Sequence, residues 1–347
     1  LSNRYKDYGW PATIVLNSKG IDLAKRAGFI EPSEMKQLLK NSVEKPNTPE
    51  EEGAKLQGSE AAQLNGAVLA DSLRNKLFEK YNASFDEKLG GLRTSHKYID
   101  ADTADFSLLQ VARGNERAGQ LIRLTLDSNL QIMDTVWGGF YQYSTGGRWD
   151  RPHYEKIMST QAANLRIYSL ASVFFSETKY SDAAKLTYEY VKNFLTSPVG
   201  AFYTSQDADL VRGEKGVEYF ALDDKSRRAK GIPAVDEHIY SRENGWMISA
   251  LARFGSLLSI PEAVESAKKA ALWIISNRSL TNGGFKHGDS DVGGPFLGDT
   301  LAMGQGCLAL YEATSDRYWY SCAVKAFEFI DENFSTAGNL SGSGYYT

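Results

Sequence analysis

From residue 61 onward, apolar side chains recur every three or four residues. Leu64, Val68, Leu69, Leu73 and Leu77 open the pattern, and comparable stripes run through 103–135, 158–195, 243–277 and 297–333. That spacing keeps one apolar face along a helix, so this part of the chain reads as all-α, with about nine long helices. The first forty residues follow a different rhythm. ATIVL at 12–16 is β-rich, NSKG at 17–20 is turn chemistry, 21–27 suits a second strand, and Pro32 opens a helix running to Leu39. The order is strand, turn, strand, helix, and it predicts a hairpin with a helix on one face. Between the two parts, EKPNTPEEEGAKLQGSE carries hardly an apolar side chain to bury. Residues 46–60 therefore read as a linker, leaving 1–45 and 61–347 as domains.

A glycine signature punctuates the helices: GGL at Gly90, GGF at Gly138, GAF at Gly200, GGF at Gly283 and a looser GNLSGSGYY from Gly338. The steps of 48, 62, 83 and 55 residues each hold two helices and a loop. This is the signature of stacked helical hairpins, with the chain turning tightly where its backbone passes close to something. A strict solenoid keeps a fixed period. A ring of hairpins, an (α/α) toroid, tolerates long insertions on the face where its loops meet a central cavity, and the variable spacing favours the toroid. The fold class expected is mainly α: an (α/α) toroid preceded by a small α/β element.

Composition narrows the partners. The 347 residues carry 39 Lys and Arg against 43 Asp and Glu, a net charge of −4, with no basic run, which argues against nucleic acid. No apolar stretch approaches the roughly twenty residues of a membrane span. The first residues, LSNRYKDYGW, include neither Met nor a signal-peptide core and read as a cut rather than a natural beginning. Cys307 and Cys322 form neither a CxxC nor a zinc pattern. They read as buried free thiols, a disulfide being the alternative, and a thioredoxin-type dithiol cycle is not expected of them. The compartment stays open, with the cytoplasm favoured. No cofactor or metal is indicated: HExxH, P-loop, GxSxG and GxGxxG patterns are absent, and the DxD of Asp207 and Asp209 lacks the rest of an EF-hand loop, since Val211 and Arg212 stand where a ligand and a glycine belong.

The polar chemistry gathers in the loops. All four histidines, His96, His153, His238 and His287, fall in a loop or just after a glycine motif. The segment 138–165 packs Tyr141, Tyr143, Trp149, Arg151, His153, Glu155 and Lys156 close together. Flat aromatic faces beside carboxylates, guanidinium and imidazole suit a sugar, whose C–H faces stack while its hydroxyls take paired hydrogen bonds. The alternative for some of these residues is a helix start with core aromatics. Asp207 and Asp209 follow in the next loop, and Asp236, His238 and Asn244 lead into a helix, where Glu243 and Asn244 also suit capping. Lys286, His287, Asp289 and Asp299 lie among glycines further on, with Asp299 placed to cap the helix that follows.

These loops resemble the thioredoxin-like proteins related to spermatogenesis-associated protein 20, in which a thioredoxin fold precedes a six-hairpin toroid like that of N-acylglucosamine epimerases. YGWPATIVLNSKG is similar to that family's GWP-strand-turn element, WGGFYQYSTGGRWDRPHYEKIMSTQAANL to its GGGF…PHFEKM…DNA signature, 203–209 to its FYSA-x-DADS element and 236–251 to its DDK…WNGLMI element. Trp149, Pro152, His153, Glu155, Lys156, Asp207, Asp209, Asp236 and Asn244 keep the family's residue type. His238 replaces its Lys, Glu243 its Trp, Gln161 and Ala162 its Asp and Asn, and RTSHKYI its APKFP segment. The resemblance implies that 1–45 is the C-terminal half of a thioredoxin-like domain with Trp10-Pro11 cis, and that the toroid continues beyond Thr347. It also implies a sheet edge in 1–45 covered by missing strands or by a partner protein.

Two functions compete. One is acid–base chemistry on a sugar-like ligand, of the epimerase or glycosidase kind, with His153, His238, Asp207 and Asp209 moving protons and Tyr141, Tyr143, Trp149, Arg151, Glu155, Lys156, Asp236, Asn244 and His287 holding the substrate. The other is a non-catalytic interaction or folding platform. They differ in what they require: an enzyme needs at least two carboxyls and a histidine facing one cavity.

Overall fold

The computed structural model describes residues 12–27, 30–45, 70–211, 216–291 and 293–335. The linker 46–60, the Trp10-Pro11 bond and the last glycine motif lie outside them. The chain divides into two compact units, 1–63 and 64–347.

In the first unit β1 (Ala12–Leu16) pairs antiparallel with β2 (Asp22–Ala27), with a register shift between Val15 and Leu16. Asn17 closes the turn, its Oδ1 accepting from the backbone N–H of Lys19 and Ile21, both at 2.9 Å. The helix α1 (Pro32–Glu44) packs on β2, and Leu23, Ala24 and Leu38 are buried. It runs five residues past the expected Leu39 because Lys40, Asn41, Ser42 and Glu44 cover an exposed face that the apolar pattern does not register.

The second unit is helical. Its long helices are α2 (Asp71–Ser84), α3 (Ala101–Ala112), α4 (Glu116–Asn129), α5 (Met158–Phe175) and α6 (Thr178–Phe194). After two short helices, α7 (Gly216–Phe220) and α8 (Asp224–Lys230), come α9 (Ser241–Leu257), α10 (Pro261–Arg278), α11 (Leu297–Thr314) and α12 (Arg317–Phe334). Consecutive helices pair as hairpins, and α3, α5, α9 and α11 pack side by side in that order as an inner layer. The short helices fill the longest interval between glycine motifs. Two small sheets complete the unit: β3 (Tyr143–Ser144) with β4 (Pro152–His153), and the triplet β5 (Lys156–Ile157), β6 (Ser205–Gln206) and β7 (Val235–Asp236) with β6 in the middle.

Every described glycine motif builds the same device. The chain leaves an outer helix, makes a one-bridge hairpin and enters an inner helix; the bridges are Phe85 to Leu92, Met133 to Phe140, Thr196 to Phe202 and Ser279 to Phe285. The first glycine wedges against the following outer helix. A Cβ on Gly138, whose φ is +78°, would stand 2.1 Å from the Leu186 carbonyl oxygen of α6. In the last three of these hairpins, the last residue is then clamped by the fourth residue of the inner helix. The Gln161 amide both donates to and accepts from the Phe140 backbone (2.7 and 2.8 Å), Asn244 does the same to Phe202 (2.9 and 2.8 Å), and Thr300 Oγ1 accepts from Phe285 N–H at 3.1 Å. Buried backbone groups must be paired, and these three side chains do it where no ladder continues.

Candidate functional site

The hairpins place a rim of polar side chains at the end of the unit where the inner helices begin. In α9 and α11 the fourth residue is committed to the clamp, and the third faces a different neighbour. In α9 that residue is Glu243 and in α11 it is Asp299, both buried. Asp299 does not cap its own helix. Its Oδ1 accepts from the Arg242 backbone N–H at 2.9 Å, capping α9, and lies 2.9 Å from His287 Nδ1. Burial pushes the Asp299 carboxyl up and the neighbouring Glu243 charge adds to this, while the contact with His287 opposes it; the net shift is upward. Glu243 Oε1 is held by the Arg242 guanidinium at 2.8 Å, and its Oε2 is buried with no hydrogen-bond partner among the described residues.

A ring column leads outward from Asp299. His287 stacks on Tyr240 (4.1 Å, 12°), and Tyr240 stacks on His238 (5.5 Å, 5°). His238 Nδ1 lies 2.5 Å from Asp236 Oδ1, which also accepts from the His238 backbone N–H at 3.1 Å. With Nδ1–H donating to that carboxylate, Nε2 carries the free lone pair. His238 is 70 % exposed. Asp236, Glu237, His238 and Asp289 line one cavity of about 560 Å³ together with Trp273 and Arg278. Arg278 donates to Asp289 at 2.7 Å and lies over the Trp273 ring at 5.2 Å, and its Nε is buried without a partner among the described residues. Three carboxyls, an imidazole, a guanidinium and an indole thus face one space.

A second space, of about 690 Å³, runs between the inner helices and is lined by Asp105 and Arg166, which pair, and by Trp246, Arg253 and Gln305. The Arg242 guanidinium, paired with Glu243, lies 5.1 Å above the Trp246 ring. A smaller cavity of about 320 Å³ is bordered by Tyr143, Gln142, Ser159, Thr160 and Asn164.

The residues expected at a ligand divide into four groups. Asp236, His238 and His287 are brought together by the ring column. His153 stacks on Tyr143 (5.0 Å, 17°), stands 3.9 Å from Glu155 and belongs with His96, whose ring meets Tyr143 edge-on. Arg151 is exposed on the same β3–β4 turn, its backbone N–H donating to Ser144 Oγ. Asp207 and Asp209 are set apart. Ser205 pairs with Asp236, Thr204 Oγ1 donates to the His238 carbonyl, and Asp207 N–H bonds the Ala234 carbonyl, so Asp207 and His238 leave the small sheet in opposite directions. Four residues along a strand separate them by roughly 13 Å. Asp207 instead closes its own turn, accepting from Asp209 N–H at 3.3 Å.

The last group belongs to the frame. Asn244 is the Phe202 clamp. Trp149 is buried, its Nε1–H donating to the Leu89 carbonyl at 2.7 Å. Lys156 is fully buried, its Nζ 2.7 Å from Asp134 Oδ2 and 2.8 Å from the Gly138 carbonyl, inside rings of Tyr141, Tyr190 and Phe220. Tyr141 is buried as one wall of that cage. Lys97 repeats the arrangement one hairpin earlier, with Asp86 Oδ2 at 2.9 Å and the Gly90 carbonyl at 3.1 Å. Sequence reasoning missed Glu243 and Asp299 as a buried carboxylate pair, reading both as plain caps. The available signal was their position, one residue before Asn244 and Thr300 on two helices that begin at equivalent glycine hairpins.

The chain matches no family model. It is similar to spermatogenesis-associated protein 20 of Homo sapiens, 32% identical over 147 residues, which are 40% of this chain and 19% of that protein. An uncharacterised protein of Caenorhabditis elegans is 26% identical over 225 residues, 58% of this chain and 30% of its own length. The chain thus spans only a fraction of the curated relatives it matches. Among solved structures, an α-mannanase of glycoside hydrolase family 76 from Bacteroides thetaiotaomicron superposes with a TM-score of 0.56 at 15% identity, covering 77% of this chain and 69% of its own. The cellobiose 2-epimerase of Spirochaeta thermophila superposes with a TM-score of 0.53 at 13% identity, covering 74% of this chain and 69% of its own. No helix among the described residues is long and apolar enough to cross a membrane. The chain is mainly α, its helical unit has the (α/α) toroid fold found in glycosidases and epimerases, and part of it is similar to spermatogenesis-associated protein 20.

Proposed function

We propose that the helical unit binds and transforms a carbohydrate by acid–base chemistry at the mouth formed by α9, α10 and α11. One observation carries the reading: His238, paired with Asp236, shares a cavity with Glu237, Asp289, Trp273 and Arg278. In this reading the indole stacks on a sugar face and Arg278 with Asp289 orients hydroxyls. His238 Nε2 takes a proton from the substrate, and Asp236 stabilises the imidazolium that forms. His287 and Asp299 support the column from behind. The three carboxyls and the histidine lining the cavity support an enzyme over a bare platform, and the toroid neighbours that act on sugars agree with the reading in fold.

The test is to incubate the chain with a panel of mono- and disaccharides in deuterated water. Solvent exchange at the sugar C2 is followed by NMR, and new reducing ends are assayed in parallel. His238→Ala and Trp273→Ala accompany the unaltered chain. The expected result is turnover of at least one sugar, lowered about 10²–10⁴-fold by His238→Ala as for loss of a general base. Turnover that both variants leave intact would refute the assignment, and so would the absence of any sugar-induced shift in melting temperature across the panel.

A second reading concerns the first unit alone, as the C-terminal half of a thioredoxin-like domain whose sheet is completed by another segment or a partner protein. It is favoured by the β1–β2 ribbon with α1 on one face, because two strands alone are marginal in water. Hydrogen exchange of β1 and β2 amides at the free-chain rate, unchanged when the thioredoxin half of a longer homologous protein is supplied, would remove it.

A further inference from the structure

The hairpin of α11 and α12 sets two thiols opposite each other. Cys307 lies eight residues before Ser315, where the chain turns in the left-handed region, and Cys322 lies seven residues after it. In an antiparallel hairpin such positions face one another, and the neighbouring levels show the register. Nearer the turn Tyr311 meets Tyr320, with ring centres 5.3 Å apart. Further from it Gly304 lies beside Ala326, so close that a Cβ on the glycine would stand 3.2 Å from the alanine Cβ. The two helices therefore approach within side-chain contact one turn from the cysteines, and each thiol shifts the other's pKa, as near neighbours do. Both are free, Cys307 buried and Cys322 half-buried.

We propose that Cys307 and Cys322 form a reversible disulfide across the α11–α12 hairpin, Cys322 being the thiol that meets a peroxide oxidant and Cys307 the one that resolves it. The chemistry balances with hydrogen peroxide as the oxidant. The Cys322 thiolate attacks one peroxide oxygen, the O–O bond breaks, and a sulfenic acid forms while the departing hydroxide takes up a proton to become water. Cys307 Sγ then attacks Cys322 Sγ, the S–O bond breaks, and the leaving hydroxide carries off the Cys307 proton as a second water. Two electrons pass from the sulfurs to the peroxide. The division of labour follows from the surroundings. The Cys307 thiol, the Tyr318 hydroxyl and the Lys325 ammonium together bring the Cys322 thiol down to about 7 against the pull of burial and the Asp316 charge. The Cys307 thiol is pushed up, first by its neighbour Cys322 and then by burial. The sequence alone leaves free thiols and a disulfide as alternatives; the hairpin register sets the two cysteines opposite each other.

The experiment treats the full chain with hydrogen peroxide at neutral pH and reads intact mass and iodoacetamide labelling under denaturing conditions. The expected product is monomeric, lighter by two hydrogens, closed to iodoacetamide at both cysteines and restored by dithiothreitol. Cys307→Ser should stop at a sulfenic or sulfinic acid on Cys322, and Cys322→Ser should leave Cys307 reduced, each with the circular dichroism of the unaltered chain. Two thiols that stay labelled after peroxide would overturn the proposal, and so would a disulfide-linked dimer or over-oxidation of unaltered Cys322 with Cys307 still free. The unaltered chain decides the matter even where a serine variant fails to fold.

Discussion

The Asp134 cluster offers the sharpest separation between frame and site. Asp134 Oδ2 accepts from Lys156 Nζ and from Arg227 Nη1, each at 2.7 Å, and its Oδ1 takes the Val136 N–H at 2.9 Å. All three charged side chains are at most 1 % exposed. Burial pushes the Asp134 carboxyl up, yet the two cations outweigh it and hold the net value below the ordinary carboxylate range. Replacing Asp134 with alanine would strand two buried cations, and breaking such a pair from one side costs about 3–5 kcal/mol. At about 2–4 °C of melting temperature per kcal/mol for a unit of this size, Asp134→Ala should melt roughly 6–20 °C lower. Lys156→Met is a different perturbation. Arg227 still answers Asp134, and the thioether fits among Tyr141, Tyr190 and Phe220, so the loss is chiefly the hydrogen bond to the Gly138 carbonyl, about 1–3 kcal/mol. Thermal unfolding followed by circular dichroism should rank the variants in that order. The pH dependence has a definite sign. Because the folded value is lowered, the stability contributed by Asp134 is present above its ordinary 3.8 and is lost as pH falls through the folded value. Equal losses in the two variants, or an Asp134→Ala protein melting within a degree or two of the unaltered chain, would refute the cluster as the brace of this hairpin.

Other consequences follow from the same architecture. Gly138→Ala should destabilise by several kcal/mol or prevent folding, because its Cβ meets a helix carbonyl, whereas Gly114→Ala, at a φ of +81° but with open space around it, should lose only about 1–2 kcal/mol; denaturant titration compares them. Asn244→Ala removes the partners of Phe202 N–H, Phe202 C=O and Tyr240 C=O and should lower stability by roughly 2–4 kcal/mol, measured the same way, with a loss below 0.5 kcal/mol contradicting the clamp. Asp299 carries the opposite sign from Asp134. Its folded value is raised, so the folded state holds the proton more tightly, and stability falls as pH rises from 3.8 through that raised value. Asp299→Asn should flatten that part of the stability–pH curve, and an unchanged curve would show that Asp299 is not the group responsible.

Local chemistry along the chain determined the elements. The three-and-four spacing marked the long helices, the ATIVL run and its NSKG turn marked the first hairpin, and the glycine motifs marked where one helical hairpin hands over to the next. Each of these rests on neighbours a few residues apart, which is the range over which periodicity and turn preference act. The division of polar residues between site and frame was decided only by the tertiary structure. Lys156, Asn244 and Trp149 carry the same chemistry as ligand-binding side chains, and nothing near them in sequence shows that Lys156 meets Asp134 22 residues away, Asn244 meets Phe202 42 away and Trp149 meets Leu89 60 away. Asp207 and His238 looked like partners until strand register separated them, since a pairing offset is a property of two strands and not of either one. His238 and His287 became one column because Tyr240 lies between them, and Cys307 and Cys322 became a pair because a turn at Ser315 folds one helix onto the next. A side chain's type states what it can do. Whether it faces a cavity or fills a gap depends on which distant segment desolvates it, and that is fixed when the helices pack.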